Sequence, residues 1–317
     1  MKSIPPTLPC LDSRSARAGF LALTGAALAA LVSSASAAVL VSEDFSYADG
    51  TLVGQNGGVG WGGAWGSLTS PTGSASGSNM VTAGILASGD ATGASTTTSQ
   101  IFRPLAVEYG ADSSTIWITL QMQRLGPKDT PGGAPDGVAP DANGGATSWI
   151  RPQNWALYDV TSGSAQSERL SFGEGTRTSA DADTFGLLVA GSVGNANTVW
   201  TTTSVGLLST ALVRVQFGAG NVDTATLWMD PAPGDPTLQT PAATTTGNFT
   251  FDRVRPFAGN RNNQTVDGVS ASRNAAYGTF DNFMIGENWD DIHPVPEPAC
   301  LTLAGLAGLA LLRRRRA

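Results

Sequence analysis

Between residues 39 and 295 of this 317-residue chain, apolar side chains recur at every second position and helical periodicity is essentially absent. In Ile116-Trp117-Ile118-Thr119-Leu120-Gln121-Met122, the residues Ile116, Ile118, Leu120 and Met122 fall on one side of an extended strand, because successive strand side chains point to opposite faces. Leu212 to Phe217 places Val213, Val215 and Phe217 together, with Arg214 and Gln216 opposite. Thr224 to Met229 alternates Ala225, Leu227 and Met229 with Thr224, Thr226 and Trp228. Further strands are predicted at Val39–Phe45, Ile101–Val107, Asn154–Val160, Arg169–Phe172, Phe185–Ala190, Thr198–Val205, Phe249–Arg255 and Phe280–Ile285.

Short strands separated by polar, glycine-rich turns predict an all-β fold, an antiparallel β-sandwich or barrel. One apolar face per strand fits sheets packed against each other on one side only. Val213 to Met229 reads as a hairpin closed by Gly218-Ala219-Gly220-Asn221. No boundary interrupts residues 38–290, and a single β-sandwich of about 250 residues is ordinary. Low-complexity linkers are expected only at Ser67–Ser78, Gly126–Gly145 and Pro231–Gly247.

The two ends differ from this body. Lys2, Arg14 and Arg17 precede an apolar run from Ala18 to Val32, and small residues follow through Ser33-Ser34-Ala35-Ser36-Ala37-Ala38. That is the layout of a secretory signal peptide over residues 1–37, with Ala35 and Ala37 as the small residues of the cleavage site. Export machinery and signal peptidase are therefore the first expected partners. At the other end, Val295-Pro296-Glu297-Pro298 stops regular structure, because proline fixes φ and removes a donor. The 14 residues Ala299 to Leu312 are nearly all apolar, and as a helix they would span about 21 Å. That is short of the roughly 30 Å hydrocarbon core. Arg313, Arg314, Arg315 and Arg316 follow, a basic flank that stays cytoplasmic and leaves the body outside.

A Pro-Glu-Pro signature, an apolar helix and a terminal arginine cluster, in that order, resemble the PEP-CTERM sorting signal of Gram-negative bacteria. For residues 291–317, as linker plus signal, the resemblance implies transient inner-membrane contact and cutting near Pro296-Glu297-Pro298 by an exosortase-type membrane protease. It implies a final place on the outer surface or in the extracellular matrix, often beside extracellular polysaccharide. A second resemblance lies in the body. Glu43-Asp44-Phe45-Ser46-Tyr47, Gly54-Gln55-Asn56-Gly57-Gly58 and Gly60-Trp61 are similar to the opening of exported proteins with a concanavalin-A-like or laminin-G-like jelly roll. Phe280-Asp281-Asn282-Phe283-Met284-Ile285-Gly286 is similar to their closing strand. The resemblance implies that the first and last strands lie side by side.

Both cysteines, Cys10 and Cys300, belong to the ends, so the body can form no disulfide, thiolate site or cysteine nucleophile. The whole chain holds 25 acids and 18 bases; setting aside the two acids and seven bases of the ends leaves 23 and 11, about −12. A body this acidic, with Lys128 as its one lysine, excludes nucleic acid as a partner.

Chemistry-bearing constellations are few. The lone histidine, His293, sits beside the Pro-Glu-Pro linker, away from where a triad needs an oriented imidazole. Glycosidic chemistry needs two carboxylates about 5 to 9.5 Å apart, and no Glu-x-Asp-x-Glu run exists. The nearest acids are Glu168 with Glu174, the latter expected on a turn between Gly173 and Gly175, and Asp181 with Asp183 in a polar loop. All four read as solvated surface acids, and the body as non-enzymatic. If the terminal strands pair, Asp44 and Asp281 come close, which would suit a structural calcium ion; the competing reading is turn or edge hydrogen bonding. No other cofactor is expected. Trp117 and Trp228 fall on the polar side of their strands, where exposed rings would stack on sugars; the competing reading is packing. The expected function is that of an exported cell-envelope or matrix protein in contact with polysaccharide. The alternatives are a carbohydrate-active enzyme and a purely structural surface component.

Overall fold

A computed structural model describes residues 39–66, 77–129, 148–160, 167–176, 183–189, 198–220, 222–266 and 269–292. The chain divides into Met1–Ala37 and Ala38–Ala317, and every described residue belongs to the second unit. The signal peptide with Ala35 and Ala37, the tail with Val295 to Pro298 and Arg313 to Arg316, His293 and Asp181 all lie outside the described residues.

Eighteen strands follow one another among the described residues: β1 (Val39–Glu43), β2 (Gly50–Thr51), β3 (Asn79–Thr82), β4 (Ile85–Gly89), β5 (Ser99–Gln100), β6 (Arg103–Tyr109), β7 (Thr115–Leu125), β8 (Gln153–Asp159), β9 (Ser167–Glu174), β10 (Thr184–Val189), β11 (Thr198–Ser204), β12 (Ser209–Gln216), β13 (Asp223–Met229), β14 (Ala243–Gly247), β15 (Phe251–Ala258), β16 (Asn262–Val266), β17 (Val269–Arg273) and β18 (Tyr277–Gly286). A single helical turn, α1 (Trp289–Ile292), closes the described body. The nine-stranded sheet runs β14-β13-β12-β7-β18-β4-β3-β2, with β1 also on β18. The seven-stranded sheet runs β11-β10-β9-β8-β15-β5, with β6 also on β15, and β16-β17 form a separate ribbon. Strand partners are antiparallel throughout. The fold is an antiparallel β-sandwich, as the alternation requires.

The expected hairpin is β12–β13, with Val213 opposite Leu227 and Val215 opposite Ala225. The first and last strands do pair, with Glu43 opposite Phe283. The glycines of the opening motif explain themselves here. A side chain at Gly58 would sit 2.1 Å from the Ser42 carbonyl oxygen and one at Gly60 2.0 Å from that of Leu40, both at positive φ. Only glycine lets this segment lie against β1.

Inward residues of the two sheets form one core. At its centre Trp155 stacks on Phe283 at 4.8 Å and meets Trp65 edge-on at 6.1 Å. All three are fully buried, and each such side chain contributes about 1.5–3 kcal/mol by leaving water. Two ion pairs are sealed inside as well. Glu43 pairs with Arg103 and also accepts from Phe45 N (2.9 Å), Tyr47 Oη (2.8 Å) and Trp65 Nε1 (3.1 Å). Arg124 Nε reaches Glu174 at 2.8 Å.

Two expectations are corrected by this packing. Pro231–Gly247 is no linker. Asp235 accepts from Thr237 N at 2.8 Å and caps a 3-10 turn, Pro236–Leu238. Gln239 then bonds Ala232 N at 2.9 Å and Ala232 O at 2.8 Å, and its threonines pair as β14 with β13. Short polar side chains that satisfy neighbouring backbone hold such a segment without apolar pattern. Glu174 is not on a turn. It ends β9, points inward and is 1% exposed.

Candidate functional site

The tryptophans singled out in the sequence are packed, not open. Trp117 and Trp228 are 6% and 4% exposed and stack on each other at 5.7 Å. Leu212 and Ile292 close over them, with Met284 and Trp289 at the margin. Their strands do carry them on the outer face of the nine-stranded sheet, but α1 covers that face. Sugar stacking on these two rings is therefore corrected to a small second core.

Asp44 and Asp281 are brought near each other by the β1–β18 pairing. Burial pushes the Asp281 carboxyl above its ordinary value, and the Asp44 charge adds to the shift. Asp44 itself is lowered by the hydrogen bonds from Ser46, whose Oγ lies at 2.8 Å and N at 3.1 Å. Asp281 accepts from Asn282 N at 2.8 Å, within an irregularity that interrupts the β18–β7 register. Among the described residues no group of three or more His, Cys, Asp or Glu side chains could hold a metal ion.

The other acids separate. A bulge in the β8–β9 register falls between Leu157 and Tyr158 and skips Arg169, so Tyr158 faces Glu168 while Leu157 faces Leu170. One inserted residue flips every side chain beyond it. Glu168 thus points outward and Glu174 inward, although their six-residue spacing puts them on one face of a regular strand. Asp183 bonds Lys128 Nζ at 3.0 Å and Trp149 N at 2.9 Å.

Around Glu168 the outer face of the seven-stranded sheet carries a cluster that sequence reasoning missed. Arg255 Nη2 donates to Glu168 Oε2 at 2.7 Å, and its guanidinium lies over Tyr158 at 4.6 Å and Phe257 at 4.3 Å. Tyr158 Oη donates to the same carboxylate oxygen at 3.1 Å, and Ser171 Oγ donates to the other. Burial pushes the Tyr158 phenol strongly upward, the guanidinium pulls it part of the way back, and the Glu168 charge raises it again. Tyr158 therefore stays a neutral donor across the biological pH range. Phe102 meets Tyr158 edge-on at 5.3 Å.

Register extends this cluster into a row across the sheet. Gln100, Phe257, Asn154, Gly173, Gly186 and Trp200 stand opposite one another on consecutive strands from β5 to β11. At about 4.8 Å per strand this row crosses roughly 24 Å of sheet. Its middle has no side chains at Gly173 and Gly186, and the next row carries Arg255, Ala156, Ser171 and Leu188, all buried. Trp200, half-buried, leans across the glycines: a side chain at Gly186 would meet its Cε3 at 2.9 Å, and one at Gly175 its Cη2 at 3.0 Å. Two polar atoms of this face, Asn154 Oδ1 and Arg255 Nε, are buried without a hydrogen-bond partner among the described residues. One is an acceptor and the other a donor, and a buried polar group left unpaired costs about 1–3 kcal/mol. The signal that could have found this site was Trp200 one strand away from Gly186 and two from Gly173, but the row exists only once register is known.

No family model and no curated protein matches this chain. Solved structures do. The alginate lyase Aly36B is 11% identical over 78% of this chain and 96% of its own, with a TM-score of 0.38. The endo-β-1,4-glucuronan lyase from the fungus Trichoderma reesei is 8% identical over 66% and 83%, with a TM-score of 0.38. The lectin from Bauhinia forficata in complex with GalNAc is 11% identical over 60% and 82%, with a TM-score of 0.31. The likeness is one of fold, to lectin and lyase sandwiches, and it assigns neither ligand nor reaction.

Proposed function

We propose that this chain is an exported, non-enzymatic β-sandwich that binds polysaccharide along the outer face of its seven-stranded sheet. The observation that supports this most is the row with a half-buried Trp200 toward one end, Phe257 toward the other, and Asn154 Oδ1 and Arg255 Nε without a partner among the described residues between them. A sugar hydroxyl both donates and accepts, so it matches that pair, while an aromatic edge receives the apolar face of a pyranose ring. Glu168 is held by Arg255, Tyr158 and Ser171 together, which suits a rigid wall better than a proton carrier. Screening the secreted protein against a glycan array, alongside Trp200→Ala, tests the reading. Retention of a glycan by the parent protein and its loss in the variant is the expected result; no retention of any glycan overturns it.

The address segments complete the proposal. Residues 1–37 direct export with cleavage after Ala37, and Pro296-Glu297-Pro298 with Arg313 to Arg316 direct processing by an exosortase-type protease to the outer surface or matrix. Mass spectrometry of the secreted protein decides this, since a mature form that keeps Arg313 to Arg316 contradicts processing. Calcium at Asp44 and Asp281 is proposed only as a structural addition, read by a calcium-dependent rise in melting temperature.

An enzymatic reading draws on one specific observation, the contact of Tyr158, Glu168 and Arg255 beside the row. A neutral phenol beside a carboxylate could pass a proton to a leaving oxygen. Turnover of a polysaccharide panel that Tyr158→Phe and Glu168→Gln both abolish would establish it in place of binding alone.

A further inference from the structure

Beside the Trp117–Trp228 plug, the outer face of the nine-stranded sheet carries a cation without an ion-pair partner among the described residues. Arg214 on β12 stands opposite Trp117 of β7 and Thr226 of β13, and Thr226 stands opposite Thr244 of β14. The adjoining row is Thr115, Gln216, Thr224 and Thr246, which brings hydroxyls and an amide but no carboxylate. Every other described arginine donates a hydrogen bond to a named acceptor. Arg214 makes neither a hydrogen bond nor an ion pair among the described residues. Of its three nitrogens only Nε is buried, so the terminal pair reaches solvent.

Nearby acids are engaged elsewhere. Asp235 accepts from Thr237 N at 2.8 Å and Thr237 Oγ1 at 2.7 Å; those bonds do most to lower its carboxyl, and the Arg214 charge does least. Asp291 of α1 accepts from Asn288 N at 2.8 Å. The last described residue, Ile292, packs on the two rings that Arg214 faces, each 5.5 Å from its guanidinium. Packed atoms lie within about 4.5 Å of each other, which puts Ile292 roughly 10 Å from Arg214. From His293 to Ala317, Glu297 is the one acidic side chain, five residues past Ile292. Pro294 and Pro296 favour an extended chain between them, and at about 3.1 Å per residue its reach is about 15 Å.

We propose that Arg214 is the dock for Glu297, and that the segment after Ile292 lies across the plug to reach it. A guanidinium donates two parallel hydrogen bonds to one carboxylate, and Glu297 supplies the charge that the threonines around Arg214 lack. A tethered acid also pays little of the cost of association. A free anion pays it in full and meets a body of about −12 that repels it. At a partly exposed arginine the pair should favour the docked state about fivefold, ~1 kcal/mol. The consequence for sorting rests on the processing reading proposed above. With Glu297 held, Pro296-Glu297-Pro298 lies against the folded body, and a protease must wait for its release, so docking slows the cut.

Tryptophan quenching of a bimane label tests the dock. The full chain in detergent micelles would carry Cys10→Ser, Cys300→Ser and the label on Val295→Cys, which docking brings against the plug and Trp289. Expected is a quenched label that brightens in Glu297→Gln and in Arg214→Gln, with the docked-to-undocked ratio falling about fivefold in each. The exchanged pair, Arg214→Glu with Glu297→Arg, should restore the quenching, and high salt should relieve it in the parent. Melting curves confirm that the Arg214 variants fold, and Glu297→Gln carries the test if they do not. A label equally bright in the parent and in Glu297→Gln overturns the dock, as does brightening by Arg214→Gln that the exchanged pair fails to reverse. Processing is read separately, in cells, by mass spectrometry of Arg214→Gln. Earlier loss of Arg313 to Arg316 than in the parent supports the delay, and equal timing overturns the delay and leaves the dock standing. A parent that never loses them overturns the processing reading alone.

Discussion

Two clusters of arginine and aromatic rings lie on the two outer faces of this sandwich, and they came out differently. On the nine-stranded sheet Arg214 stands 5.5 Å from Trp117 and 5.5 Å from Trp228. On the seven-stranded sheet Arg255 stands between Tyr158 and Phe257. Both guanidinium groups keep a buried Nε without a hydrogen bond among the described residues, so that feature alone does not separate them. The ring faces do. Trp117 and Trp228 spend theirs on each other and on Ile292, and what remains is a hydrophobic plug that anchors the end of the body. Across the other sheet, Gly186 leaves room for the Trp200 ring, which lies over it and stays half-buried. The lesson is that an aromatic residue on a strand's polar side marks a site only where its neighbours on adjacent strands are small.

The largest effect should come from emptying the plug. Trp228→Ala is expected to cost about 3 kcal/mol, the lower end for a buried tryptophan, and to leave glycan retention unchanged; chemical denaturation and a glycan array read the two separately. A loss of retention would mean that the faces are not distinct. Ile292→Ala should follow at about 2 kcal/mol, again without altering retention. On the other face the signs reverse. Trp200→Ala should weaken glycan binding about tenfold, corresponding to ~1.4 kcal/mol, with a smaller change in melting temperature, measured by titration calorimetry and a thermal scan. Equal losses of stability on both faces would erase the comparison.

The smallest prediction concerns pH at the terminal strands. Asp281 has a raised folded pKa, so its protonated form favours the folded state. That contribution is complete below the unfolded value of 3.8 and is lost as pH rises through the folded pKa. At pH 7 Asp281→Asn should therefore stabilise the protein, by no more than about 0.5 kcal/mol for a partly exposed, screened carboxylate. Calcium would invert the result: if the ion binds at Asp44 and Asp281, the parent protein gains stability on its addition and the variant does not.

Much of the architecture was legible in the chain. The alternation at Ile116 to Met122 became the centre of β7, and the hairpin from Val213 to Met229 formed in the expected pairing. Pro231–Gly247 was misread because its order comes from side chains satisfying nearby backbone, which leaves no hydrophobic period. Strands β16 and β17 escaped notice for a related reason, since a free-standing ribbon of Asn, Gln, Ser and Thr needs no apolar face. The site was least legible. Trp117 and Trp228 looked promising because alternation placed them outward, yet alternation says nothing of what lies above a sheet.

By itself the sequence determined a β-sandwich, through a period of two that only pleated strands can satisfy. It also determined an acidic, cysteine-free body, because composition needs no coordinates. Tertiary structure alone decided what each outer face carries. That choice depends on α1 folding back over Trp117, on the bulge at Arg169 that turns Glu168 outward, and on the register that sets Gly173 beside Gly186. Each of these joins residues distant in the chain through strand pairing, and a one-residue change of register would send every one of those side chains to the other face.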